Sequence, residues 1–141
     1  MPVRKASAVW EGNLKEGKGS VKLGSGAFQG PYSFATRFEN TPGTNPEELI
    51  AAAHAACFSM ALSAQLGSAN LTPESISTSA TLSMEKLDAG WTITAVNLDV
   101  VARVPKADAD AFNKAAENAK SGCPVSKVLK ARITMNARLE G

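Results

Sequence analysis

Cys57 and Cys123, the only cysteines in this 141-residue chain, are the residues best suited to chemistry. A thiolate is both a nucleophile and a metal ligand, and its reactivity follows its pKa. In a reducing compartment a structural disulfide does not persist, so paired cysteines there are more often redox-active or metal-binding. Cys57 sits in an alanine-rich stretch, where a small sulfur also serves as packing. His54 precedes it by three residues, which puts both on one face of a helix. Cys123 stands between Gly122 and Pro124 at a helix start. Backbone N–H groups and the positive end of a helix dipole favour a thiolate there, although a cysteine in that place can also act as a weak cap.

Arg37 and Glu47 are the charged residues that suit such a thiol. A guanidinium stays charged and lowers the pKa of a nearby thiol. The plain alternative for Arg37 is a surface arginine. Glu47 fits the first turn of a helix, where a carboxylate meets the helix dipole, and it could equally hold Arg37 in place. A metal site is disfavoured. His54 is the only histidine and no second cysteine lies at short spacing, whereas zinc requires three or four protein ligands. The Gly24-Ser25-Gly26 stretch leads into Phe28 and Gln29 rather than into a helix, so it is no phosphate loop. No nucleophile-elbow pattern surrounds Ser59 or Ser63.

The elements that must position these residues read as α+β. Strands are predicted over residues 6–10, 18–23 and 32–37, with a glycine-rich loop over 24–31. A second loop over 39–46 leads to a clear helix start, with Asn45 as N-cap, Pro46 at the first position and Glu47 and Glu48 in the first turn. That helix is predicted to run to about Leu66 before Gly67, packed on several sides as a buried central helix. Alternating residues predict strands over 75–87 and 91–104 around an Asp88-Ala89-Gly90 turn. Asp108 caps a helix to about Lys120, a short helix follows over 124–129, and a last strand covers 132–139. The order implies one domain with an antiparallel sheet against helices.

Composition narrows the function classes. The chain is 44% hydrophobic and carries a net charge of +2, enough for a core and too little to argue for nucleic acid or a membrane surface. The apolar stretch over residues 49–66 contains His54, Ser59, Ser63 and Gln65, so it reads as a helix of a soluble protein rather than a membrane span. No apolar run follows Arg4 and Lys5, so no export signal is read and the cytoplasm is the expected compartment.

The stretch from Gly43 to Phe58, GTNPEELIAAAHAACF, resembles the first signature of the OsmC/Ohr family, and Gly122-Cys123-Pro124-Val125-Ser126 resembles its second. Trp10-Glu11-Gly12, Lys18-Gly19, Pro31-Tyr32 and Arg37-Phe38 are similar to the OsmC branch. The resemblance spans nearly the whole chain. It implies an OsmC-like fold in an intertwined homodimer and a cofactor-free thiol peroxidase acting on organic hydroperoxides. By motif position Cys57 matches the peroxidatic cysteine, Cys123 the resolving one, and Arg37 and Glu47 the activating pair. The implied cycle passes through a Cys57 sulfenic acid and a Cys57–Cys123 disulfide, which an external dithiol, of lipoyl type in Ohr relatives, reduces.

Spacing adds one expectation. Glu47 and Cys57 lie ten residues apart on one predicted helix, about 15 Å along its axis. An arginine held by Glu47 therefore serves the Cys57 of the partner subunit more easily than that of its own chain. Ala53, Ala56, Phe58, Met60 and Ala61 suggest an apolar pocket near the thiol. Three rival readings use the same residues: a thiol redox sensor, an apolar-ligand carrier with inert cysteines, and a structural dimer.

Overall fold

The computed structural model describes residues 1–140. The chain divides into two compact units, Met1–Leu49 and Ile50–Gly141.

In the first unit, three short strands, β1 (Ala6–Glu11), β2 (Lys18–Leu23) and β3 (Gln29–Tyr32), form an antiparallel sheet in the order β1-β2-β3. Gly19 pairs with Trp10 on one side and Tyr32 on the other, and those two rings pack with centroids 5.5 Å apart. A Cβ at Gly19 would lie 2.7 Å from each ring, so the aromatic pair requires glycine between them. The strand predicted over residues 32–37 is instead the end of β3 followed by a one-turn helix, α1 (Phe34–Phe38). The cause is a reciprocal cap: the Thr36 N–H donates to Ser33 Oγ at 3.3 Å, and the Ser33 N–H donates to Thr36 Oγ1 at 2.8 Å. The helix α2 (Pro46–Ser68) starts as its sequence dictates, with the Glu48 N–H donating to Asn45 Oδ1 at 2.7 Å. Asn45 Nδ2 donates to the Thr36 carbonyl at 3.0 Å and so ties the start of α2 to α1.

The second unit is built on a long hairpin of β4 (Ser75–Leu87) and β5 (Gly90–Arg103), followed by α3 (Ala109–Gly122), α4 (Pro124–Val128) and β6 (Arg132–Glu140). Gly90 turns the hairpin at φ +116°, a backbone region that favours glycine. β5 and β6 pair in parallel, so the sheet is antiparallel only at β4–β5. Parallel pairing requires a crossover, and α3 and α4 supply it.

Val96, Leu98, Val100 and Ala102 alternate along β5 into the core, where they meet Phe58, Leu62 and Leu66 of α2 and Phe112, Ala115, Ala116 and Ala119 of α3. α2 is less enclosed than its composition suggests. It is long and apolar enough to cross a membrane by length and composition, yet only His54, Phe58, Leu62 and Leu66 are buried. Those four follow a spacing of four residues and make one stripe against the core. Ala52, Ala53, Ala56, Met60 and Ala64 are exposed, so within a single chain α2 is buried along one stripe and not on several sides as predicted.

Candidate active site

The second unit brings Cys57 and Cys123 together. Both are free thiols, and their sulfurs lie 2.8 Å apart although 66 positions separate them in sequence. A disulfide measures about 2.05 Å, so bond formation needs less than about 1 Å of closing motion. Cys57 comes from the middle of α2 and is half-buried, while Cys123 is wholly buried. Cys123 is fixed from both sides. It ends α3, donating its N–H to the Ala119 carbonyl at 2.9 Å, and it is the residue on which α4 begins.

The two thiols have different environments. Burial pushes the Cys57 thiol up, its hydrogen bond with Cys123 pushes the same way, and a hydrogen bond from the Val125 backbone opposes them. Burial alone would raise Cys123 too. Hydrogen bonds from the Cys57 thiol, from the backbone and hydroxyl of Ser126 and from the Val125 backbone outweigh burial and hold Cys123 below the usual thiol range. α4 has five residues, too short for a large macrodipole, so individual N–H groups carry the effect that the sequence assigns to a helix dipole. At this distance the sulfurs titrate as a pair, with Cys123 the better holder of the first negative charge and Cys57 the more accessible sulfur.

His54 and Ser126 complete the cluster. His54 Nε2 lies 2.8 Å from Ser126 Oγ, and both residues are buried. His54 Nδ1 is buried without a hydrogen-bond partner. Burial lowers the His54 pKa and keeps the ring neutral near pH 7. His54 stands out in the sequence as a potential metal ligand, but the structure gives it a serine as its partner. Ser126 carries a signal that sequence reasoning missed: a hydroxyl three residues after a helix-opening cysteine, in a chain whose only histidine needs a partner.

The first unit holds Arg37 and Glu47. Arg37 Nε and a terminal guanidinium nitrogen donate to the two Glu47 carboxylate oxygens, each at 3.0 Å. The guanidinium also lies 5.1 Å from the centroid of the Phe38 ring. Arg37 edges a cavity of about 210 Å³ lined with Trp10, Leu14, Tyr32, Phe34 and Phe38. A larger open depression of about 850 Å³, along residues 3–6 and 23–25, contains none of the candidate residues, so its size carries no chemical argument. The apolar residues that suggest a pocket around Cys57 divide instead: Phe58 is in the core, while Met60, Ala53 and Ala56 lie on the outer face of α2.

An α+β chain that sets two free thiols in contact defines a class of cysteine redox proteins. Residues 38–138 match the family model described as "OsmC-like protein". The curated protein named Peroxiredoxin OsmC from Escherichia coli (strain K12) is 55% identical over 138 residues, covering 97% of this chain and 96% of that protein. The protein of the same name from Shigella flexneri matches equally. The chain therefore belongs to the OsmC family. Among solved structures, an OsmC-like protein of unknown function from Vibrio cholerae O1 biovar eltor aligns with a TM-score of 0.80 at 16% identity, covering 97% of this chain and 99% of that one. The organic hydroperoxide resistance protein OhrB of Bacillus subtilis aligns with a TM-score of 0.67 at 22% identity, covering 96% and 98%. At these identities the two structures speak to the shared fold.

Proposed function

We propose that the chain is a two-cysteine peroxidase that reduces organic hydroperoxides to alcohols. The observation that carries this reading is the contact between Cys57 and Cys123 at 2.8 Å, both as free thiols. Its context is membership of a family whose curated relatives are named peroxiredoxins.

Cys57 is the sulfur that meets the peroxide, because it is the more exposed of the two. Its thiolate attacks the distal oxygen and the O–O bond breaks. The sulfur becomes a sulfenic acid, and the departing alkoxide takes a proton to become an alcohol. Cys123 then attacks the Cys57 sulfur: an S–S bond forms, the S–O bond breaks, and the hydroxide leaves as water with one proton. An external dithiol, a small one of lipoyl type being the candidate, restores both thiols by exchange. A cycle that ends in re-reduction suits a reducing compartment, the cytoplasm.

The protein works as a homodimer in which Arg37 and Glu47 serve the partner subunit's active site. Three features support this: the formed Arg37–Glu47 fork, the ten positions along α2 from Glu47 to Cys57, and the exposed alanine-rich face of α2. An apolar face of that kind marks a protein–protein contact. A guanidinium brought to Cys57 offsets the burial that raises its pKa and moves the pair's negative charge toward it. The aromatic cavity beside Arg37 then supplies the apolar surface for the organic part of the peroxide.

The test is a stopped-flow comparison of cumene hydroperoxide with hydrogen peroxide on the reduced protein. Faster oxidation by the organic peroxide is expected. Equal or reversed rate constants contradict the substrate assignment, and no oxidation by either contradicts the peroxidase reading.

A further inference from the structure

His54 is a fully buried titratable group that the cycle above does not use. It sits three residues before Cys57 on α2, and its hydrogen-bond partner Ser126 sits three residues after Cys123 on α4. Two links therefore join the same pair of helices: Cys57 with Cys123 at 2.8 Å, and His54 with Ser126 at 2.8 Å. They are successive rungs between segments of opposite chain direction, three residues or about 4.5 Å of helical rise apart. Among the described residues, the His54–Ser126 bond is the hydrogen bond that ties α4 to α2 besides the thiol contact itself. A neutral imidazole carries one N–H, which belongs on the nitrogen that has an acceptor. His54 Nδ1 has no partner, so the proton sits on Nε2 and the ring donates to Ser126 Oγ.

α4 does not hold its place unaided. With five residues it lies far below the roughly 12 at which an isolated helix becomes even marginally stable in water. The Cys123 N–H on the Ala119 carbonyl, at 2.9 Å, anchors its start to α3, but not to the helix that carries Cys57. The His54–Ser126 bond supplies that second anchor, one turn from the sulfurs and between two buried residues. Its net contribution to stability is modest, because both groups lose their hydration on burial. What it adds over an apolar pair is register: a hydrogen bond needs its own distance and direction, whereas apolar contacts tolerate sliding. We propose that His54 and Ser126 are positioning residues whose hydrogen bond pins α4 to α2 and holds the Cys123 sulfur against that of Cys57, so that the disulfide forms with little further ordering of the chain. The inference rests on the peroxidase reading for its purpose, the resolving step, but not for its measurement.

The experiment measures the equilibrium of the full-length protein with mixtures of reduced and oxidised dithiothreitol. As the Cys57–Cys123 bond forms, the two thiols give up two electrons and two protons, and the S–S bond of the oxidised reagent breaks and takes them up. Exchange starts at Cys57, the more exposed sulfur, and Cys123 then displaces the reagent from inside, so no reagent has to reach the buried thiol. Samples are quenched in acid, unfolded, alkylated and read by intact mass. Ser126→Ala and His54→Leu are each expected to lower the equilibrium constant for disulfide formation by about tenfold, the ordering that one lost hydrogen bond leaves for the disulfide to impose. His54→Gln, whose amide can donate to Ser126, is expected to keep the wild-type constant. Leu66→Ala, a core truncation nine residues beyond Cys57 on the same helix, is expected to lower the melting temperature and leave the constant in place. If Ser126→Ala and His54→Leu both keep the wild-type constant, if His54→Gln behaves as His54→Leu, or if Leu66→Ala lowers the constant as far as they do, the proposal is overturned. Should His54→Leu fail to fold, Ser126→Ala together with His54→Gln decides. A protein that forms the disulfide with dithiothreitol but consumes no peroxide overturns the peroxidase reading without touching this result.

Discussion

Mixing two inactive variants tests whether Arg37 acts across subunits. Cys57→Ser lacks the attacking sulfur, and Arg37→Ala lacks the guanidinium, whose loss should cost about 100-fold as for other removed charge-stabilising donors. If Arg37 serves the partner's thiol, a hybrid dimer of the two variants contains one site with both groups intact and one with neither. Random reassembly of an equal mixture makes about half of the dimers hybrid, each with one working site of two, so about a quarter of wild-type activity should return. If Arg37 serves its own chain, every site in the hybrid lacks one group and nothing returns. The size of a third variant's defect follows from the fork. Two charge-assisted bonds of 3.0 Å would be worth about 3 kcal/mol if dry. Arg37 is 36% exposed, so solvent reduces this to about 1 kcal/mol, and Glu47→Ala should lower kcat/KM by roughly fivefold. The assay is peroxide consumption with a dithiol after joint unfolding and refolding of the two variants. Residual activity no higher than the sum of the separate variants would refute the cross-subunit arrangement.

Two other expectations follow from local structure. Ser33→Ala removes one arm of the cap on α1, should cost about 1 kcal/mol of stability, and should lower activity because α1 carries Arg37; urea unfolding and kcat/KM measure both. The folded protein holds the His54 pKa below its ordinary 6.5, so it binds fewer protons than the unfolded chain below that pH. Stability should therefore fall as pH drops through 6.5, by at most about 1.4 kcal/mol per pH unit from this group, and His54→Gln should lose that component in urea midpoints measured across pH.

The parts of the fold visible in the sequence are those governed by local rules. Asn45, Pro46 and the acidic first turn mark the start of α2, and alternation marks β4 and β5. α1 is hidden because its cap uses Thr36 where the recognised pattern has Glu or Gln, within a run of strand-like residues. The exposed face of α2 is hidden because alanine is as common inside a core as on an open helix face. The parallel pairing of β6 depends on where the α3–α4 crossover returns the chain, which periodicity does not encode. In the site, the two cysteines stand out by type, and the Arg37–Glu47 ion pair stands out by the complementary charges of its members. The His54–Ser126 contact does not, because 72 positions separate the two residues and only tertiary packing joins them.

The most direct measurement is intact mass after one equivalent of an organic hydroperoxide, for wild type and for Cys123→Ser. Wild type should lose two hydrogens, about 2 Da, as the two sulfurs bond, and Cys123→Ser should gain one oxygen, about 16 Da, at Cys57. An unchanged wild-type mass, or an oxygen retained on the wild-type protein, would contradict a cycle in which Cys123 resolves Cys57.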